Sequence, residues 1–288
     1  MRTVGMETQN TQETWLITGC SSGFGKNLAE TALEQGKQVI ATARTPEMLK
    51  ELVRRFPKTA LATRLDVTDD ASVAAAVEQG INYFGTIDVL VNNAGYCLRG
   101  AVEECNETEI RRQFDTNFFG TVRTIQHVLP HMRKAHKGAI VNFSSIAALS
   151  TSEGSAFYGA SKCAVEGLSD GLRKEVAPLG IKVMVVEPGP FKTDFFYRSI
   201  DVNTNNIEEY RQTAGKRKVR LQNPEDSGIK GWGDLRKAAE VIINAVEMPD
   251  GPFRLLLGST AVKIGEQFVE ARDREIRRWA SLSARTDV

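Results

Sequence analysis

An alternation repeated along almost the whole chain does most to narrow the folds available to it. Short runs rich in β-branched residues fall at Thr14–Thr18, Gln38–Ala43, Leu61–Leu65, Ile87–Val91, Ala139–Ser144, Lys182–Glu187 and Phe253–Leu257, and longer stretches with helical spacing separate them. Several runs are apolar almost throughout, Val183-Met184-Val185-Val186 most clearly, as strands covered on both faces must be. After Phe24, Leu28, Ala29, Ala32 and Leu33 share one helical face; Leu49, Leu52, Val53 and Phe56 share another. Strands joined through helices return parallel to one another, so the expected architecture is α/β: one doubly wound parallel sheet of about seven strands with helices on both faces. That uses nearly all the residues and leaves one domain, 14–258, after a polar tail at 1–13 expected to be disordered. A helical extension is expected at 259–288. The least regular stretch, 194–233, follows a strand and is rich in Asn, Gly and charge. A loop that long inside a compact domain is usually functional, and it is the expected substrate-binding loop.

Composition removes whole classes of partner. The 288 residues carry a net charge of +1, with 41% hydrophobic and 25% charged residues, which suits a large core. So balanced a charge argues against nucleic acid or an anionic membrane as the main partner. No apolar run approaches the roughly 18 residues of a membrane span, and the first 13 residues hold no signal-like apolar stretch. Cys20, Cys97, Cys105 and Cys163 form no Cys-x-x-Cys pair, so free thiols and a reducing, cytoplasmic location are expected.

The first strand runs into Thr18-Gly19-Cys20-Ser21-Ser22-Gly23-Phe24-Gly25, and a helix follows at once. Glycines there let backbone N–H groups and a helix N-terminus approach a pyrophosphate, the mark of a Rossmann-like dinucleotide fold. Their spacing is Gly-x-x-x-Gly-x-Gly, and no Lys-Ser/Thr follows, which speaks against a P-loop. An NAD-selecting fold places an acid near the end of strand two to bind the ribose 2′-OH; here that strand ends Ala41-Thr42-Ala43-Arg44. A guanidinium at Arg44 pairs with a 2′-phosphate that a carboxylate would repel. The expected cofactor is therefore NADP(H) rather than NAD(H).

Tyr158 and Lys162 lie four apart at the start of a helical stretch and so share a face. Ser144-Ser145 ends a strand 13 residues upstream, and Asn92-Asn93-Ala94-Gly95 ends another. Together with Gly19–Gly25, Arg44, Asp66 and Pro188-Gly189, these gather along the carboxyl edge of a sheet, where open α/β folds bind ligands. On these motifs the chain resembles the short-chain dehydrogenase/reductase family of the Ser-Tyr-Lys type, over about Thr14 to Phe196. Gly-Cys-Ser-Ser-Gly-Phe-Gly with Ala-Thr-Ala-Arg is most similar to its NADP-preferring hydroxysteroid and retinol dehydrogenase branch. The basic residue that some NADP-binding members carry inside the glycine loop is absent; Ser22 stands in its place and is able to bond a 2′-phosphate.

The resemblance implies a role for each residue. Tyr158 is the general acid or base, Lys162 assists it and holds the nicotinamide ribose, Ser145 holds the substrate oxygen, and Asn117 holds a water relaying protons to Lys162. Cofactor contacts fall to Gly19, Ser21, Ser22, Gly23, Phe24, Gly25, Arg44, Asp66, Val67, Asn93, Ala94, Gly95, Tyr158, Lys162, Pro188, Gly189 and Thr193. An ammonium ~4 Å from the phenol at an effective dielectric of ~20 would contribute about 4 kcal/mol, lowering the phenol by roughly three pKa units before desolvation opposes it. Phe195, Phe196 and Tyr197 suggest an apolar wall, hence a lipid-like, steroid-like or aromatic carbonyl or alcohol. A homodimer or homotetramer is implied, packed through the helices that carry Asn117 and Tyr158. The rival reading is an NADP(H)-binding redox-sensing regulator without turnover, which has no need of Ser145, Tyr158 and Lys162 together.

Other signals are weaker. His127 and His131 have metal-like spacing but lack a third ligand, so no metal is expected. The basic cluster Arg211–Arg220 reads as a solvated, mobile loop, Cys163 as a buried core thiol, and 263–278 as an ordinary charged helix face.

Overall fold

The computed structural model describes residues 12–192, 200–216, 218 and 232–287. Seven strands form one sheet: β1 (Thr14–Ile17), β2 (Gln38–Ala43), β3 (Ala60–Arg64), β4 (Val89–Asn92), β6 (Gly138–Phe143), β7 (Ile181–Pro188) and β9 (Arg254–Leu257), in the order β3-β2-β1-β4-β6-β7-β9. Every pairing is parallel. The seven expected strands are all present, with ends that coincide or shift by at most two residues. Two further strands, β5 (Cys97–Arg99) and β8 (Ile200–Val202), pair with each other in a separate two-stranded sheet. At three residues each they carry no readable alternation, and their partners lie about a hundred positions apart.

The strand period of two divides each strand between two cores. Trp15, Ile17, Val39, Ala41, Val89 and Val91 face one layer, packed by α1 (Gly23–Glu34) and α7 (Leu235–Glu247) through Leu28, Ala32, Ile242 and Ile243. Leu16, Ile40 and Leu90 face the other, packed by α3 (Asp70–Phe84), α5 (Gly120–Ala135) and α6 (Ala156–Val176) through Val77, Val128 and Leu172. Helices α2 (Lys50–Arg55) and α4 (Glu107–Phe114) are short, α4 opening on an Asn106/Glu109 capping box. The C-terminal stretch forms α8 (Ser259–Ser283).

A buried polar chain ties the two halves of the sheet to this second layer. Thr124 on α5 donates to Asn92 on β4, Asn92 to Asn142 on β6, and Asn142 to Ser169 on α6. Full pairing is what makes these buried amides tolerable. Within 194–233 the structure places β8, a 3-10 turn at Glu208–Tyr210 and a π-helical turn at Arg211–Gly215, so the described part is more ordered than its composition suggests.

Candidate active site

The strand order reverses between β1 and β4, so their carboxyl ends diverge and leave a crevice. Thr18, just past β1, closes its floor: Thr18 N–H donates to the Val91 carbonyl, and Asn93 N–H and Ala94 N–H both donate to Thr18 Oγ1. Asn93 Nδ2 returns bonds to the carbonyls of Thr18 and Gly19. Gly19 holds φ at 73° and Gly23 at 57°, in the left-handed region that glycine enters freely. A Cβ on Gly25 would sit 2.4 Å from the Gly19 carbonyl oxygen and 2.5 Å from Asn93 Nδ2.

This turn suits an anionic nucleotide. Ser22 is the N-cap of α1 yet makes no capping hydrogen bond, and the first turn of α1 holds no acidic residue. The helix therefore offers its first N–H groups and its positive end to the crevice without a side chain competing for them. Arg44 stands exposed at the end of β2, and its charge is felt by Asp66 at the end of β3. Partial burial raises the Asp66 carboxyl, but hydrogen bonds from Thr68 N–H and Oγ1, with the charges of Arg44 and Arg64, hold it below its usual value.

Two expected cofactor contacts have other duties for their side chains. Phe24 turns into the core, its ring centroid 5.4 Å from that of Phe143 and 4.8 Å from that of Phe191, because an apolar ring on the first turn of α1 gains more by burial there. Val67 is buried against Gly120, where an added Cβ would come within 2.7 Å of it. Pro188 ends β7, and Gly189 N–H bonds the Leu257 carbonyl. Thr193, Phe195, Phe196 and Tyr197 lie outside the described residues, as do residues 1–11 of the expected tail.

Across the crevice, α6 delivers Tyr158 and Lys162 from successive turns. Lys162 is 5% exposed; its Nζ donates to the Phe143 carbonyl at 2.7 Å and lies 5.7 Å from the centroid of the Tyr158 ring. Ser145, past the end of β6, accepts a bond from Ala147 N–H and is hydrogen-bonded to the Tyr158 side chain. A phenol and a hydroxyl thus converge over a buried ammonium, the pair of donors a carbonyl oxygen needs when it gains charge.

The electrostatics correct the simple Coulomb expectation. Burial pushes the Tyr158 phenol up, assisted by Cys97, while the Ser145 hydrogen bond and the Arg99 charge draw it down without prevailing. Burial also lowers Lys162 to about 8, against the raising influence of Cys97 and Glu166. Desolvation of both groups outweighs the attractions that oppose it.

Asn117 sits in a π-helical turn, Asp115–Phe119, where an extra residue per turn swings its side chain inward. Its Oδ1 accepts from Tyr96 N–H, and its Nδ2 donates to Tyr96 O and Ser161 Oγ. The side chain is a clamp between the segment after β4 and α6, which fixes Asn117 beside Lys162, where the relay water was expected. A Cβ built on Gly95 would lie 3.1 Å from Asn117 Oδ1 and 3.6 Å from Lys162 Nζ, which brings the Asn93–Gly95 segment against both.

Sequence reasoning passed over two acids beside this cluster. Glu166 lies one further turn along α6 from Lys162, a spacing readable in advance, and bonds Glu187 on β7 and Arg254 on β9. Among the set-aside signals, Cys163 is exposed rather than buried, because it points away from the face that buries Lys162. Lys218 is no solvated loop cation: it pairs with buried Glu104 at 2.7 Å. Arg211 is exposed and Arg217 and Arg220 lie outside the described residues. His127 bonds Asp70, and no metal-holding cluster occurs among the described residues. Nor, among them, is any helix long and apolar enough to cross a membrane.

A family model described as short chain dehydrogenase matches residues 13–202. The chain is 41% identical over 244 residues to the 3-ketodihydrosphingosine reductase of Bacteroides thetaiotaomicron, covering 84% of this chain and 87% of that one. It is similar to the solved short-chain dehydrogenase of Streptomyces avermitilis, at 39% identity and a TM-score of 0.89, covering 96% and 99% of the two chains. A short chain dehydrogenase of Burkholderia cenocepacia, solved in complex with NADP, matches at 26% identity and a TM-score of 0.72 over 93% and 97%. One from Burkholderia phymatum, solved in complex with NAD, shares the fold at 22% identity and a TM-score of 0.76 over 91% and 95%.

Proposed function

The chain belongs to the short-chain dehydrogenase family of oxidoreductases, and from that premise we propose that it interconverts a carbonyl and an alcohol on a small molecule using NADP(H). The observation that carries this reading is the Ser145–Tyr158 hydrogen bond set over buried Lys162 at the mouth of the crevice. A bound nicotinamide would supply or accept the hydride. The chain's part is the proton: Tyr158 Oη donates it to the carbonyl oxygen in reduction and takes it back in oxidation. Ser145 Oγ holds that oxygen, and the Lys162 charge stabilises the phenolate left behind.

NADP(H) is preferred to NAD(H) on the strength of Arg44, an exposed guanidinium at the strand end where a ribose acid would otherwise stand. Ser22, free of capping duty, is its natural partner on a 2′-phosphate. The named substrate of the Bacteroides relative, a ketone on a long-chain base, supports an apolar body for the substrate here. So does the likeness of the glycine loop to the hydroxysteroid and retinol dehydrogenase branch. A homodimer or homotetramer, checked by sedimentation, would cover Phe119, half exposed beside Asn117.

Tyr158→Phe tests the reading. It should cut turnover of ketones by a factor of about 10² to 10⁴ while leaving the NADPH dissociation constant within a few fold. Unaltered turnover removes Tyr158 from the chemistry, and NADPH binding with no turnover of any carbonyl by the wild type would make the protein a redox-sensing regulator instead.

A further inference from the structure

β5 carries Cys97, Leu98 and Arg99, and the strand period puts Cys97 and Arg99 on one face. Both are felt at the Tyr158 phenol, so that face adjoins the reacting group. Arg99 is only 8% exposed, and its Nε and Nη1 are buried with no hydrogen-bond partner among the described residues. Among the described residues, Lys218 is satisfied by Glu104 and the Asn205 carbonyl, Lys162 by the Phe143 carbonyl and Arg112 by Asp201. Two buried guanidinium nitrogens without an acceptor are strongly unfavourable.

A second orphan lies alongside. Gly100 N–H donates to the Gly154 carbonyl at 3.1 Å, fastening the residue after Arg99 to the residue before Ser155. Ser155 is the N-cap of α6, is 2% exposed, and its hydroxyl neither caps the helix nor finds another partner among the described residues. It stands three positions before Tyr158, and the first turn of this 21-residue helix holds no acidic residue, the nearest acid being Glu153 two positions before the cap.

We propose that Arg99 and Ser155, at the N-terminus of α6, form an anion subsite that holds a carboxylate of the same molecule whose carbonyl or hydroxyl reacts at Tyr158. The substrate class is then an oxo- or hydroxycarboxylate with an apolar body. One unpaired guanidinium matches one negative charge, which favours a carboxylate over a phosphate dianion. The inference deepens the proposed function, resting on it only for the claim that the reacting group meets Tyr158.

Calorimetric titration of the full chain with aryl oxo acids of increasing chain length, each beside its methyl ester, tests it. The wild type should bind at least one acid about tenfold or more tightly than its ester, an Arg99→Gln variant should lose that preference, and Arg99→Lys should keep part of it. Unchanged NADPH binding by the variants certifies their fold, and Ser155→Ala gives an independent, smaller loss. Equal binding of acid and ester by the wild type at every length, or a preference that survives Arg99→Gln, overturns the proposal. The two readings fail separately. Unaltered turnover in Tyr158→Phe beside an acid preference that Arg99→Gln abolishes condemns the redox assignment alone, whereas loss of ketone turnover in Tyr158→Phe without any acid preference in the wild type condemns the subsite alone.

Discussion

Glu187→Gln should stabilise this protein in mild alkali and lose that advantage in mild acid. Glu187 is 1% exposed near the end of β7, hydrogen-bonded to Glu166, with one carboxylate oxygen left without a partner. Burial first, then the charge and hydrogen bond of Glu166, raise it from 4.5 to about 7, with Arg254 opposing. Because its folded value exceeds the unfolded one, the folded chain takes up the proton first. Above about pH 7 the carboxylate is ionised in both states, and folding must bury the charge. Between about 7 and 4.5 only the folded state is protonated, so this group's contribution becomes more favourable as pH falls through that window. At about 1.4 kcal/mol per pKa unit, the interval sets a ceiling of about 3 kcal/mol. The Arg254 side chain that holds Glu166 is 46% exposed, so water reaches the far end of the pair and trims the figure to roughly 1–2 kcal/mol. Urea unfolding of both proteins at pH 8 and pH 5 measures it. The variant should gain that amount at pH 8, keep about a quarter of it at pH 5 and lose the rest below about pH 4.5, and parallel stability curves across the range would refute the burial argument.

Three further outcomes are expected. Arg44→Asp should raise the NADPH dissociation constant about 100-fold and the NADH constant less than about threefold, since it replaces a charge-assisted bond by repulsion; an equal rise in both defeats the cofactor preference. Gly25→Ala should abolish measurable NADPH binding and cost about 1–3 kcal/mol of stability by denaturant titration, because the new methyl meets the Gly19 carbonyl; wild-type affinity in that variant would show that the turn relaxes. For carbonyl reduction kcat/KM should stay flat up to about pH 8 and fall above it, as Lys162 loses the charge that supports a departing proton, while oxidation should gain with pH. A reduction rate that climbs between pH 7 and 9 would remove Lys162 from that role.

The sheet could be read in advance because its strands obey both halves of a simple rule: apolar on both faces, and separated by amphipathic helices long enough to cross back. Leu16 between Trp15 and Ile17, or Leu90 between Val89 and Val91, supplies one residue to each core layer, and no other arrangement satisfies such a run. β5 and β8 escaped because a three-residue strand has no period, and its pairing is decided by where two distant loops are delivered. Cys163 was misplaced for a related reason. One position on a helix is 100° of rotation, and only the neighbours in space say which side is covered.

The site divides along the same line. Gly19, Gly23 and Gly25 were legible because the turn demands a residue type, and Tyr158 with Lys162 because one helical turn is a fixed distance. What the phenol and the ammonium do to each other was not, since spacing supplies a Coulomb attraction and says nothing of what each group faces. The lysine faces the Phe143 carbonyl, both groups are buried, and desolvation wins: the phenol rises and Lys162 falls to about 8. That ordering leaves the proton on Tyr158 throughout the neutral range, which is the state a carbonyl reductase needs before its substrate arrives and the wrong one for removing a proton from an alcohol. Arg99 sharpens the asymmetry. Its charge lowers the phenol while it stands unpaired, and an anion bound to it would cancel that influence and raise the phenol further. A carboxylate-bearing substrate would therefore strengthen Tyr158's hold on its proton as it binds, favouring delivery to a carbonyl only where Ser145 and Lys162 stabilise the charge that results.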